Sequence, residues 1–399
     1  STDIAGAMAL GETWFKVPPT IRVTYAGTLP RWVGGKDLIL RLIGAIGVDG
    51  ALYKALEFDG PVIDALDIEG RLTMANMAIE AGGKGGLFAS DDTTVAYCAA
   101  HKRPDAVKLA ADPGATYERH VEFDVTGMEP VVACPHLPSN VKPVSEVKDV
   151  AVQQVVVGSC TNGRIADMRE AAAVLKGRKV AKGVRCIVLP ATPSVWKQAM
   201  KEGLFDVFTD AGCIVGPPTC GPCLGGHMGI LGDGERAIST SNRNFKGRND
   251  GSAQTHAFLA SPEIVMAMAI NGDLTFNPMK GSYTTAKGTP INLTAPTGTE
   301  LPVKGFVTDL TDCIRPDYAK IEIKVSPNAK RIKLLEPFPA WDGKDFVGLP
   351  ILIKAKGKCT TDHIWQVAGL PRQPRSHFGQ PARTCGQRLY RRRRQDAQL

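Results

Sequence analysis

The chain has 399 residues, a formal net charge of +8 and 43% hydrophobic residues. That is apolar material enough for two or three cored domains, which excludes a disordered chain, and no run of about 18 apolar residues marks a membrane span. The ten cysteines are scattered through a large chain, which suits a reducing compartment and site chemistry better than a disulfide framework.

In chain order, STDIAGAMALGETWF lacks the basic and apolar regions of a secretion signal. The expected compartment is the cytoplasm, with an organelle matrix as the alternative, and the non-Met start reads as a cut end. IRVTYAG (21–27) predicts a strand and KDLILRLIGAIG (36–47) an amphipathic helix. RLTMANMAIEAGGKGG (71–86) predicts a helix closed by a Gly-rich turn. The interval 105–150, rich in Pro and polar residues, reads as a connection between domains. VQQVVVGSC (152–160) predicts a buried strand breaking into a turn, IADMREAAAVLKG (165–177) a helix, and VRCIVLPA (184–191) a strand. Strand, turn, helix, strand is a βαβ unit of a largely parallel sheet, whose ligands gather past the carboxyl ends of strands. Cys160 lies at such an end. A second connection spans about 325–348, and the strand ILIKAK (351–356) follows. Charge is concentrated at the end: residues 365–399 hold eight Arg and one Asp, which leaves +1 for all that precedes them.

The chemistry starts with TCGPCLGG (219–226). Cys220 and Cys223 supply two thiolates in a tight turn, and Cys160 ends a strand 60 residues earlier. Three thiolates can hold three corners of a cubane iron–sulfur cluster and leave the fourth iron open as a Lewis acid. The competing reading is a Cys3His zinc site completed by His227. Cys98, Cys134, Cys186, Cys213 and Cys313 stand among apolar neighbours and read as small core fillers. In TSNRNFKGRND (240–250), Arg243 and Arg248 stand among Asn242 and Asn244. This pattern suits a di- or tricarboxylate clamp, or else a surface ion-pair loop. Glu80 reads as an exposed helical carboxylate at a helix end.

VVVGSCTNGRIADMREAAAVLKGRKV, PPTCGPCLGGHMGILGDGERAISTSNRNFKGR and WFKVPPTIRV with WVGGKDLILRLIGAIGVDGALYKALEF resemble the aconitase family. Residues 1–248 are similar to its 3-isopropylmalate dehydratase large subunits. Residues 249–364, through NDGSAQTHAFLASPEIVMAMAINGDLTFNP, LLEPFPAWDGKDF and GKCTTDHI, look like aconitate hydratase. The resemblance implies an α/β fold of stacked three-layer α/β/α domains around a [4Fe–4S] cluster, N-terminally truncated here. It makes Cys160, Cys220 and Cys223 the cluster ligands. It makes Asn76, Asn242, Arg243 and Arg248 substrate-binding residues, and Glu80, Asp362 and His363 catalytic ones. It divides the chain into a remnant of the first domain (1–20), a second α/β domain (21–135), a third with the cluster ligands (136–325), a linker (326–348) and the start of a mobile swivel domain (349–364). The implied activity is that of a hydro-lyase, the reversible dehydration and rehydration of a hydroxy polycarboxylate. Citrate/isocitrate through aconitate is the expected substrate, because the swivel start looks like aconitase. The alternative is 3-isopropylmalate dehydratase (leucine biosynthesis) or homoaconitase, with a separate small swivel subunit as partner.

Two departures accompany the match. The family's Asp-His and Asp-Ser-His-Thr motifs precede the segment that begins at Ser1. Its catalytic serine belongs to the swivel domain, which here dissolves after Ile364. Little or no turnover is therefore expected of the chain by itself. The basic stretch 365–399 matches nothing in the family and is expected to be read out of frame. No membrane partner is expected. An RNA-binding role is the distant alternative, weakened by a tail whose arginines have only Phe378 and Tyr390 interleaved among them.

Overall fold

A computed structural model describes residues 11–147, 151–224, 227–248, 252–284 and 290–298, with isolated residues elsewhere. All that follows concerns the compact unit formed by residues 1–308 with 377–379. The expectations placed on the linker, the swivel start with Asp362 and His363, Cys313 and the basic tail fall outside the described residues.

Among the described residues the unit holds two large sheets and a separate two-stranded one. The first opens with β1 (Thr20–Ala26), in which Ile21, Val23 and Tyr25 point into the core while Arg22 and Thr24 lie half-buried. This is the period of two that a half-covered sheet imposes. Helix α1 (Gly35–Ile46) buries Leu38, Ile39, Leu42 and Ile43, and the Tyr25 hydroxyl donates to the Leu38 carbonyl at 2.8 Å. β2 (Ala55–Asp59) and the short helix α2 (Pro61–Ala65) follow. Helix α3 (Ile68–Met77) is capped by Asp67, whose carboxylate accepts from Gly70 N at 2.6 Å. The helix is shorter than its sequence suggests. It tightens into a 3-10 turn at Ala78–Ala81, stops at Gly82 in the left-handed region, and Gly85–Phe88 form β3 instead. Backbone pairing with β2 outweighs helix propensity over those glycines. Helix α4 (Asp92–Ala100) and β4 (Arg119–Asp124) complete a parallel sheet of order β3-β2-β1-β4.

The interval read as a connection holds strands. β4 closes the first sheet, while β5 (Val131–Ala133) and β6 (Val141–Pro143) open the second. Pro-rich composition hid them, and β5 and β6, at three residues each, are too short to show a period. The second sheet continues through β7 (Gln154–Gly158), helix α5 (Ile165–Leu175), β8 (Arg185–Leu189), α6 (Pro193–Lys201), α7 (Leu204–Ala211), β9 (Ile214–Val215), β10 (Arg236–Ser239), β11 (His256–Leu259) and α8 (Pro262–Asn271). Its order is β6-β5-β11-β10-β7-β8-β9, antiparallel at β6 and β5 and parallel from β11 onward. A hairpin pair, β12 (Ser282–Thr284) and β13 (Pro290–Asn292), stands apart.

Alternation along β7 and β8 sorts the two faces. Val155, Val157, Cys186 and Val188 join the core with α5, α7 and α8. Val156, Ile187 and Leu189 face the opposite way, beneath Met228. Both faces are apolar, as a buried parallel sheet requires. Cys134, Cys186 and Cys213 are buried core residues and Cys98 is half-buried. Among the described residues no helix is long and apolar enough to cross a membrane.

Candidate active site

The site forms where β7 ends. Gly158, Ser159 and Asn162 all adopt positive φ, at 113°, 88° and 57°. Three such residues around one cysteine concentrate backbone strain where a side chain must be aimed, a pattern typical of functional turns. Gly158 has no substitute there, since a Cβ would lie 1.8 Å from the Leu189 carbonyl oxygen. The C-x-x-C turn, wound as a 3-10 helix over Gly221–Leu224, rests on the same residue. A Cβ on Gly221 would meet Leu189 Cδ1 at 2.2 Å. Leu189, fully buried at the end of β8, is thus the common floor of both cysteine turns. Cys160 and Cys220 are exposed there and Cys223 is buried.

Residues from the first sheet meet these turns. The Asn76 side-chain carbonyl accepts from Asn242 Nδ2 at 2.5 Å and also from the Thr161 hydroxyl. Cys160 Sγ lies 3.9 Å from Asn242 Oδ1. Glu80 is buried at 4% exposure, against the expectation of a solvated helical carboxylate. It accepts from Arg243 Nε at 2.8 Å. Burial pushes the Glu80 carboxyl up, and the pull of Arg243, Lys36 and Arg248 opposes that shift. Arg248 is close enough to act on Glu80 electrostatically, yet its Nε is buried without a hydrogen-bond partner. The surface ion-pair reading of this loop therefore fails for both arginines: one pairs a buried carboxylate and the other keeps a donor unspent.

The structure brings together Asn76, Glu80, Cys160, Asn242, Arg243 and Arg248. Cys223 belongs to the same electrostatic neighbourhood through Arg243. Among the described residues no three His, Cys, Asp or Glu side chains converge as one metal ion requires, so the Cys3His zinc site is not assembled. His227 Nδ1 is buried without a partner.

Sequence reasoning missed two residues. Thr161 was hidden inside the cysteine turn, and its hydroxyl is spent on Asn76. Lys36, 2% exposed, donates to the carbonyls of Thr240 at 2.8 Å and Ser241 at 2.7 Å. A lysine in a helix's first turn reads as solvated, and no local signal marks it otherwise. Burial drives its ammonium down to about 7, against the opposing pull of Cys223 and Glu80. Beside the site lies a cavity of about 150 Å³ lined by Glu69, Asp167, Glu170 and Glu263. Burial raises their carboxyls, Glu69 to about 7 and Glu263 to about 8.

The family model described as "Aconitase family (aconitate hydratase)" matches residues 1–272. The 3-isopropylmalate dehydratase large subunit of Nitratidesulfovibrio vulgaris (strain DSM 19637 / Miyazaki F) is 74% identical over 272 residues, 68% of this chain and 65% of that one. The protein of the same name from Desulfovibrio desulfuricans is 72% identical over 273 residues, again 68% and 65% of the two chains. That from Heliobacterium modesticaldum is 56% identical over 272 residues, 68% and 64%. The chain thus spans a little under two thirds of the length of these relatives. With a family match over residues 1–272, most of its length, the chain belongs to the aconitase family.

Proposed function

We propose that this chain is the cluster-bearing part of an iron–sulfur hydro-lyase that interconverts hydroxy dicarboxylates of the isopropylmalate type. The expectation of citrate/isocitrate gives way here to its alternative. Relatives at 56–74% identity carry the 3-isopropylmalate dehydratase name, whereas the lean towards citrate rested on residues beyond the described ones. The same names speak of a large subunit, which supports a separate small subunit as partner.

The observation that carries the reading is a pair of arginines around the buried Glu80: Arg243, which pairs with it and lies in the electrostatic neighbourhood of Cys160 and Cys223, and Arg248, whose Nε has no hydrogen-bond partner. The donor set fits a cubane cluster. Two Gly-floored turns present three thiols, two of them exposed, and a cubane takes each thiolate on a different iron, so single-ion convergence is not required. Cys160, Cys220 and Cys223 would hold it. Once bound, its open iron supplies Lewis acidity that makes hydroxide a tolerable leaving group. The chain's own residues do the rest. Arg243 and Arg248 bind the two carboxylates, since guanidinium groups clamp carboxylates through paired N–H donors. Asn76 and Asn242 orient the hydroxyl-bearing carbon. Glu80, its carboxyl raised by burial, holds a proton near the departing oxygen, with Arg243 released to the substrate. Asp362 and His363 keep their proposed catalytic roles.

Anaerobic reconstitution with iron and sulfide tests this. A cubane that gives a three-iron EPR signal on mild oxidation, and whose reduced spectrum shifts with isopropylmalate but not citrate, supports the reading. A chain that takes up no iron, or one shifted by citrate alone, overturns it.

A further inference from the structure

Lys36 is placed against every local preference. It occupies the first turn of α1, where the helix dipole disfavours a cation. It is 2% exposed, and burying an ammonium is costly unless it is paired. Its two hydrogen-bond partners are main-chain carbonyls 204 and 205 residues away. The fold does not need this link to join its halves. Asp37, its neighbour, already ties α1 to β5 by accepting from Val131 N at 2.9 Å, and Glu69 accepts from Ala166 N at 2.9 Å.

What the link does fix is the backbone just ahead of the site. Thr240 and Ser241, themselves buried, immediately precede Asn242 and Arg243. The Thr240 hydroxyl accepts from Gly158 N at 2.9 Å, two residues before Cys160. One ammonium therefore pins the junction from which the Asn242–Arg243 arm and the Cys160 turn both depart. It does so close enough to Cys223 and Glu80 to act on them electrostatically.

We infer that Lys36 is a positioning residue of the site: its buried ammonium clamps the Thr240 and Ser241 carbonyls and so sets where Asn242 and Arg243 present their side chains to a carboxylate ligand. The ligand half of this inference rests on the proposed function; the backbone half does not. A neutral residue of nearly equal length fills the space but releases both carbonyls, which then lose the ammonium's hydrogen bonds across that interface and let the arm move.

The test compares the wild-type chain with Lys36→Met by amide hydrogen exchange, iron content and isopropylmalate binding after reconstitution. The expected result is exchange at least tenfold faster across residues 240–246, with β7 and α8 unchanged. Iron content stays at the wild-type value and isopropylmalate affinity falls at least tenfold. If Lys36→Met does not fold, Lys36→Gln, which keeps a donor for one carbonyl, carries the same test with an intermediate effect. Exchange within twofold of wild type across 240–246 overturns the inference. So does failure of both variants to fold, which would make Lys36 a folding residue. A wild-type chain that takes up no iron overturns the proposed function instead and leaves the exchange comparison standing.

Discussion

The two sheets spend their residues differently. In the second, α8 buries nine of its ten residues, and its strands are apolar on both faces. In the first, α4 buries none of its nine residues, β4 is mostly exposed, and Leu87 on β3 is half-exposed. The strained turn that carries Cys160 and the C-x-x-C turn that shares its Leu189 floor both belong to the well-buried sheet. A core that dense can hold backbone in a sparsely populated conformation because every alternative collides with something. The first sheet contributes reach instead of strain. Asn76, Glu80 and Lys36 leave ordinary helical backbone and span the gap with their side chains. Strain sits where it is best supported, and contacts that need only length sit elsewhere.

The sharpest way to break this contrast is to add one methyl group to a glycine of each sheet. Gly158→Ala must displace the Leu189 carbonyl. It should cost more than about 3 kcal/mol and abolish iron uptake, read by denaturant unfolding and iron analysis. Gly85→Ala, with nothing within 4 Å of the added carbon, should leave both within error. Equal effects would mean that the two sheets are equally constrained. Core truncation comes next. Phe208→Ala, fully buried in the second sheet's core, should cost about 4 kcal/mol, and Leu56→Ala in the first about 3 kcal/mol. A single unfolding transition in both variants would show that the two cores melt as one.

A pH comparison sharpens the contrast at the acidic cavity. Glu263 titrates at about 8 when folded, against an ordinary value of 4.5. The folded chain therefore holds more protons than the unfolded one between those values, and stability attributable to this group falls as pH rises through the window. Glu263→Gln removes that dependence, so its gain in Tm over wild type should be larger at pH 8 than at pH 5. A gain independent of pH would show that the carboxyl is not the cause. The smallest effect is expected at the rim. Arg185 pairs with Glu235 at 2.6 Å, but its side chain is 41% exposed. Arg185→Ala should change stability by less than about 1 kcal/mol.

The sequence announced whatever repeats with a period. β1, α1, β7, α5 and β8 lie within a residue or two of where periodicity puts them, because each buries one stripe or one run. It did not announce β3, β5 or β6. Each spans only three or four residues, and β3 and β5 are held by pairing partners distant in sequence. At the site, the cysteine spacing and the resemblance pointed to the residues that converge. The burial of Glu80 was not legible, since it depends on Arg243 arriving from 163 residues away. Lys36 was hidden for the same reason, with partners that are backbone atoms and carry no residue signature.

The Glu80–Arg243 ion pair has one more consequence. With its carboxylate buried at 3% side-chain exposure and its arginine at 38%, the pair is an internal competitor already seated in the receptor. On the proposed function, a dicarboxylate arriving at Arg243 would not fill a vacancy; it would enter an exchange with a tethered carboxylate. Monoanions, offering one contact in return for one, gain little from such a trade. A dianion that also engaged the Arg248 guanidinium would gain a second contact for the first it displaced. On that reading, discrimination by charge number would be built into the resting state, before any part of the ligand's carbon skeleton is sensed.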